Sequence, residues 1–179
     1  APPSPRRRRR PVSNASPRVV VAAASRWLRT LFHHETPPSG PPAGVYRTTN
    51  GGSTWSLVLP GEASDVLVRP GDFSRQYAGL CGHAIDTMPW VQTGEIRRSF
   101  DGGQTWVTVQ GPWTFQENDP SEVRFAAAPS QPDTLYVSLR STMSFSGWLL
   151  GLWRTDNAWA PTPTWVEIPW VGPFPQGYL

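Results

Sequence analysis

Short runs of apolar and β-branched residues alternate with Pro- and Gly-bearing breaks along most of the chain. The runs have the length of strands, and no stretch approaches the roughly 18 consecutive apolar residues that a membrane-spanning helix needs. The runs recur in a fixed order of four, A to D, with a period of about 50 residues. The first unit has B at 18–24, C at 44–48 and D at 54–59. The second has A at 64–69, B at 76–81, C at 94–99 and D at 105–109. The third has A at 122–128, B at 134–140, C at 150–155 and D at 164–168. Pro70-Gly71-Asp72 and Pro129-Ser130-Gln131-Pro132 mark the turns between A and B, placed at 70–75 and 129–133.

The C and D strands are joined by a repeated octet. Thr48-Thr49-Asn50-Gly51-Gly52-Ser53-Thr54-Trp55 matches Ser99-Phe100-Asp101-Gly102-Gly103-Gln104-Thr105-Trp106, from position 48 to position 99. The approaches match as well, Gly44-Val45-Tyr46-Arg47 against Glu95-Ile96-Arg97-Arg98. A third copy keeps the approach, Gly151-Leu152-Trp153-Arg154-Thr155-Asp156-Asn157, and the exit, Thr164-Trp165, but its turn is longer and lacks Gly-Gly. Each residue type in the octet suits a tight turn. The paired glycines reach positive φ without a Cβ penalty. Asn50 and Asp101 accept N–H bonds from the residues just after them, and the Thr48 or Ser99 hydroxyl adds a second local bond. Trp55 and Trp106 then open strand D and are expected to bury a large ring.

This octet resembles the Asp-box, or bacterial neuraminidase repeat, with its pattern Ser/Thr-x-Asp-x-Gly-x-Thr-Trp. The resemblance covers about residues 17–170. It implies an all-β fold, a segment of β-propeller with about three four-stranded antiparallel blades over 18–60, 64–110 and 122–170. Propellers of this kind are seen in sialidases, xyloglucan-degrading hydrolases, sortilin-type receptors and photosystem II assembly factors. In those families the box is a structural turn and not an active site, so Thr48, Asn50, Gly51, Gly52, Thr54, Trp55, Ser99, Asp101, Gly102, Gly103, Thr105, Trp106 and Trp165 are read as structural. Asn50 departs from the preferred Asp but keeps the acceptor oxygen. Such propellers have six or more blades, so the resemblance further implies a fragment of a larger propeller, or copies that together close a ring.

Composition supports the all-β reading. The chain of 179 residues has 21 Pro and 16 Gly, too many breakers for a helical bundle, and ten Trp, too many for a disordered polymer. The 16 basic residues are all Arg, eight of them within residues 1–30, where no acid occurs. The other eight face all 13 acids in residues 31–179. The basic pI therefore belongs to the N-terminal segment, and a nucleic-acid partner is not expected for the body. Residues 1–17 combine prolines with five consecutive arginines at 6–10 and are expected to be disordered. The arginine run also reads as a polyanion or import patch or a twin-arginine signal, although the apolar stretch after it is short for the latter. Cys81 is the sole cysteine, which excludes an internal disulfide. Its neighbour His83 suggests a thiol beside a base, but the simpler reading is a small apolar strand residue.

Topology points to where a ligand would bind. In an up-and-down sheet the A–B and C–D turns share one rim, and the B–C and D–A connections share the other. The long connections, 25–43, 82–93, 110–121 and 141–149, all fall on the second rim, and long loops in compact domains are disproportionately functional. They carry His33, His34 and Glu35, then His83, Asp86 and Trp90, then Trp113, Glu117, Asp119 and Glu122, then Phe145 and Trp148. Acids near exposed aromatics suit a sugar. The plainer reading makes Trp90, Trp113 and Trp148 packing between blades and the acids a solvated loop. The His33-His34-Glu35 cluster lacks the further His of a zinc-protease motif, so no metal and no cofactor are expected.

The leading expectation is a non-enzymatic module that binds or scaffolds carbohydrate or protein, from a secreted or cell-envelope protein without a transmembrane segment. The alternative is part of a sialidase-like or other glycoside hydrolase, which needs two carboxylates across the scissile bond. A sialidase-like site would also need three clustered arginines. Arg69, Arg124 and Arg140 are strand-associated but unmarked as a triad, and the Phe-Arg-Ile-Pro segment that often precedes Asp-boxes is missing.

Overall fold

Two-residue hairpins and tight turns fold the chain into consecutive antiparallel strands. The structure is a computed structural model and describes residues 20–24, 41–81, 83–84, 91–92, 94–113, 121–141 and 149–169. The described residues contain no helix. The first sheet is built from β1 (Val20–Ala24), β2 (Gly44–Thr48) and β3 (Ser56–Pro60), in that spatial order. Next come β4 (Ala63–Arg69), β5 (Asp72–Leu80), a two-stranded ribbon of β6 (His83–Ala84) and β7 (Val91–Gln92), β8 (Glu95–Ser99) and β9 (Val107–Thr108). The second sheet has the order β4-β5-β8-β9. The third runs through β10 (Ser121–Ala128), β11 (Gln131–Ser141), β12 (Leu149–Thr155) and β13 (Val166–Glu167), again in chain order. No sheet closes on itself. The predicted units are thus three separate antiparallel sheets, and the A to D order of the second and third is the order observed.

Register explains where the predicted boundaries shift. Arg69 pairs with Asp72 and Ala128 with Gln131, so both A–B turns are two-residue loops, shorter than the predicted 70–75 and 129–133. Pro70 followed by Gly71 at φ 78° supplies what a type II turn requires. The sequence places residues 72–75 in the A–B turn. They stay in the strand because their side chains bond locally: Asp72 accepts the Ser74 N–H at 3.0 Å, and Gln76 donates to the Phe73 carbonyl at 2.8 Å. The outer strands are shorter than predicted, with Val109 and Ile168 each adding one further bond to the C strand, both 2.8 Å. The ribbon of β6 and β7, His83 opposite Gln92, continues the β5–β8 hairpin and was not anticipated.

The sheets stack side by side through two apolar cores. Val45 and Leu59 of the first sheet meet Ala63, Ala78 and Leu80 of the second, with Val21, Ala23 and Trp106 at the margin. On the other side, Tyr77, Ile96 and Val109 of the second sheet meet Val123, Leu135, Val137, Leu139 and Trp153 of the third. Strand β5 is buried on both faces from Gln76 to Leu80, because a sheet lies against each. Strand β11 has no described neighbour beyond it: Leu135, Val137 and Leu139 are buried, whereas Tyr136 and Ser138 are only half-buried. Polar seams tie the inner strands. Ser64 Oγ donates to the Val123 carbonyl at 2.9 Å, and Asp65 accepts the Phe125 N–H at 2.8 Å.

Gly79 faces the third sheet closely: a Cβ there would lie 2.5 Å from Val123 Cβ and 2.8 Å from its Cγ1. Gly79→Ala therefore overpacks the joint between the second and third sheets. It is expected to cost about 1–3 kcal/mol, read as a lower urea midpoint. Gly71→Ala, where no atom lies within 4 Å, carries only the strain of its positive φ.

Candidate functional site

One rim is built from three turns with a common hydrogen-bond scheme. Each begins at a buried hydroxyl on the last residue of a C strand: Thr48, Ser99 or Thr155. Thr48 Oγ1 accepts N–H bonds from Asn50 (3.3 Å) and Gly52 (3.0 Å) and donates to Asn50 Oδ1 (2.9 Å). Ser99 Oγ accepts from Asp101 (3.3 Å) and Gly103 (2.9 Å) and donates to Asp101 Oδ1 (2.7 Å). Thr155 Oγ1 accepts from Asn157 (3.2 Å) and donates to Asn157 Oδ1 (2.8 Å). The Asp or Asn oxygen then clamps the far end of the turn. It accepts the N–H of Thr54 (3.0 Å), Thr105 (2.9 Å) or Thr164 (2.9 Å). The third turn spans more residues between its two anchors yet keeps both.

Asn50 and Asp101 solve the last contact with opposite polarity. Asn50 Nδ2 donates to Thr54 Oγ1 at 2.9 Å, whereas Asp101 Oδ2 accepts from Thr105 Oγ1 at 2.6 Å. Burial alone would push the Asp101 carboxyl up, but the bonds from Thr105, Ser99 and Gln104 outweigh it and hold the pKa at about 2. The paired glycines have positive φ, 70° and 91° in the first turn and 73° and 79° in the second. Gly103 is also sterically constrained, since a Cβ would sit 2.7 Å from Gln76 Oε1 and 3.3 Å from Val21 Cγ1.

The A–B and C–D turns do meet on one rim. Gly102 N–H donates to the Ser74 carbonyl at 2.9 Å, and Ala158 N–H to the Asp133 carbonyl at 3.0 Å. Neighbouring sheets are linked there too. Arg47 Nε donates to the Gly102 carbonyl at 2.8 Å. Tyr77 Oη donates to the Ala158 carbonyl at 2.5 Å, and Arg98 donates to the carbonyls of Ala158 (3.3 Å), Ala160 (2.6 Å) and Pro161. Arg69 bonds Asp133 at 2.9 Å across the same joint.

The tryptophans after the turns do not share one fate. Trp165 is half-buried, with its ring edge-on to Trp113 (5.0 Å) and to Tyr77 (6.5 Å). Trp106 is half-buried against the first core. Trp55, expected to be buried, is 43% exposed. The cause is simple: no described sheet precedes the first one to cover its turn. Trp159, which replaces glycine in the third turn, packs at 5.0 Å against Tyr77 and donates to the Pro132 carbonyl at 2.9 Å. Sequence reasoning missed it because the third turn no longer matches the octet.

The ligand face was expected on the opposite rim. His33, His34, Glu35, Asp86, Trp90, Glu117, Asp119, Phe145 and Trp148 lie outside the described residues. Of His83 only the strand position is described, in the β6–β7 ribbon. Trp113 is half-buried against the second core, with its ring 5.9 Å from Trp153 and 5.0 Å from Trp165. Its surroundings match the packing alternative. At the base of this rim Glu122 is largely buried and pairs with Arg124 and, at 3.1 Å, with Arg140. Arg69 lies on the other rim beside Asp133, so Arg69, Arg124 and Arg140 do not form one cluster. Cys81 is buried, and burial pushes its thiol up to about 11, so it stays protonated at neutral pH and is a poor nucleophile.

Among the described residues no group of three His, Cys, Asp or Glu side chains is placed to hold a metal ion. No helix among them is long and apolar enough to cross a membrane. No protein-family model matches the chain, and no curated protein matches it either.

The Asp101 clamp is testable. Asp101→Ala removes the acceptor for several local bonds and is expected to cost about 1–2 kcal/mol in a urea melt, less whatever water recovers at this partly exposed site. Asp101→Asn restores the arrangement of Asn50 and costs less. The folded carboxyl, at about 2, lies below its ordinary value of 3.8. Its stabilisation is therefore fully present above about pH 4 and is lost as the pH falls through about 2. The stability gap between the wild type and Asp101→Asn narrows over that interval. A gap that stays constant assigns the clamp no charge-dependent role.

Proposed function

We propose that the chain is a segment of Asp-box-type β-propeller, acting as a non-enzymatic module that binds carbohydrate or protein on the rim opposite the turns. The observation that carries this reading is the three-fold recurrence of one hydrogen-bonded turn. Each copy joins the last two strands of an antiparallel sheet, and the sheets stack side by side. Stacked units that bury apolar faces against neighbours are how propellers and other repeat folds obtain a core. The turn N–H groups are bonded by the turns' own side chains, and the second and third turns also accept bonds from the preceding sheet, so these polar groups are spent on structure. The loop rim remains as the place for recognition. There, Trp90 and Trp148 offer rings for the apolar faces of a sugar, and Asp86, Glu117 and Asp119 offer acceptors for its hydroxyls.

The test is binding of the full chain to an array of neutral and sialylated oligosaccharides, followed by titration with the best ligand and an assay for reducing-end release. Saturable binding without turnover is expected, weakened at least about tenfold in Trp90→Ala or Trp148→Ala. Release of sugar that disappears in Glu117→Gln or Asp119→Asn, with the fold intact, makes the protein a glycoside hydrolase and overturns the proposal.

A further inference from the structure

The three turns hold one side-chain oxygen in the same way and differ in the residue that follows it. Asn50 Oδ1 accepts from the Thr48 hydroxyl at 2.9 Å and from the Thr54 N–H at 3.0 Å. Asn157 Oδ1 accepts from the Thr155 hydroxyl at 2.8 Å and from the Thr164 N–H at 2.9 Å. Asp101 Oδ1 accepts the equivalent pair from Ser99 and Thr105. Of the four asparagines in the chain, at 14, 50, 118 and 157, Asn50 alone precedes a glycine. Asn157 precedes Ala158, which carries a Cβ, is buried, and has its N–H bonded to the Asp133 carbonyl at 3.0 Å.

An asparagine amide is open to attack by the main-chain nitrogen of the residue after it, and a glycine there puts no Cβ in the way. The attacking nitrogen is tethered, so no encounter step is needed. Negative charge develops on Oδ1 during the attack. Two donors already point at Oδ1 of Asn50, which is the arrangement that stabilises an oxyanion. The leaving nitrogen is placed as well: Nδ2 contacts Thr54 Oγ1 at 2.9 Å, and a hydroxyl can both accept and donate. The second turn shows that the product fits. Asp101 is the carboxylate form of the same clamp, with Thr105 Oγ1 donating to Oδ2 at 2.6 Å.

We infer that Asn50 is a self-processing deamidation site, at which the first turn converts itself, with water as co-reactant, into the aspartate form that the second turn already has. The Gly51 nitrogen gives its proton to hydroxide and forms a bond to Cγ of Asn50. The electron pair of the Cγ–Oδ1 double bond moves onto Oδ1, between the Thr48 and Thr54 donors. It returns as the Cγ–Nδ2 bond breaks. Nδ2 leaves as ammonia with a proton from the Thr54 hydroxyl, which water replaces, and a succinimide ring remains. Water then opens the ring, and the Gly51 nitrogen regains its proton. Attack at Cγ leaves aspartate at position 50. Attack at the main-chain carbonyl leaves isoaspartate, whose main chain runs through the former side chain. Either way water is consumed, ammonia is released, and nothing is oxidised or reduced. Asn157 keeps its amide, because the nitrogen of Ala158 is committed to Asp133.

The experiment is incubation of the full chain in mildly alkaline buffer, with and without urea, followed by peptide mapping with mass detection of positions 50 and 157. Conversion at 50 is expected to run faster in the folded chain than in urea, with position 157 unconverted in the folded chain. Thr54→Ala removes the proton donor beside Nδ2 and is expected to slow folded-state conversion at least about tenfold, whereas Thr54→Ser restores it. If Thr54→Ala lowers the urea midpoint, the comparison of folded and unfolded wild type carries the test. Conversion at 50 that is no faster in the folded chain than in urea overturns the inference, because the clamp then only restrains the amide. So does a folded Thr54→Ala chain that converts as fast as the wild type or faster.

Discussion

Three or four short strands cannot bury both faces of their own sheet, and every other feature of this molecule follows from that shortage. Strand β5 shows the solution: its residues from Gln76 to Leu80 are buried on both sides because a sheet stands against each. Such a strand loses the alternation of buried and exposed positions that marks a half-solvated sheet. It also forces small residues where neighbours come closest, which is why Ala78 and Gly79 stand between Tyr77 and Leu80. The sheets are units of a stack, and their stability is a property of the joints as much as of the strands.

Polar chemistry at the joints complements the apolar cores. The turn hydroxyls and the Asp or Asn oxygens satisfy the turn N–H groups from within, leaving carbonyls free to accept from the preceding sheet. Arg47, Tyr77 and Arg98 are those donors. Tyr77 is the most economical of them. Its ring fills the second core against Trp159 and Phe125 while its hydroxyl reaches a turn carbonyl, and burial raises its pKa to about 12, so it remains a donor.

Much of this architecture was legible in the chain because local chemistry dictates it. The octet repeats, the Pro-Gly and Pro-Ser turns and the strand-length apolar runs each demand a particular backbone, and the three sheets fall within the units they mark. What was not legible depends on neighbours. Residues 72–75 read as turn, yet they extend β5, with Asp72 opposite Arg69 and Gln76 the first residue paired on both sides. Trp55 and Trp106 occupy the same place in the octet, and only the presence of an adjoining sheet separates their burial. The forward-reaching arginines carry no local signature, because their partners lie about 60 residues away in sequence, and Trp159 carries none because it packs on Tyr77 of the preceding sheet. Of the proposed ligand rim, the chain supplied residue types on long connections. The described structure adds Glu122 with its two arginines at the base, and it gives Trp113 aromatic neighbours.

The third turn is the longest, and its extra residues do not hang free. Ala158, Ala160 and Pro161 lie between the anchors Asn157 and Thr164, and their carbonyls take the four bonds that Tyr77 and Arg98 send across. The short second turn receives a single such bond, from Arg47. Loop length therefore acts as a coupling constant between successive sheets, adjustable without touching the strands or the cores. In this chain the coupling is graded, firm between the second and third sheets and slack between the first and second.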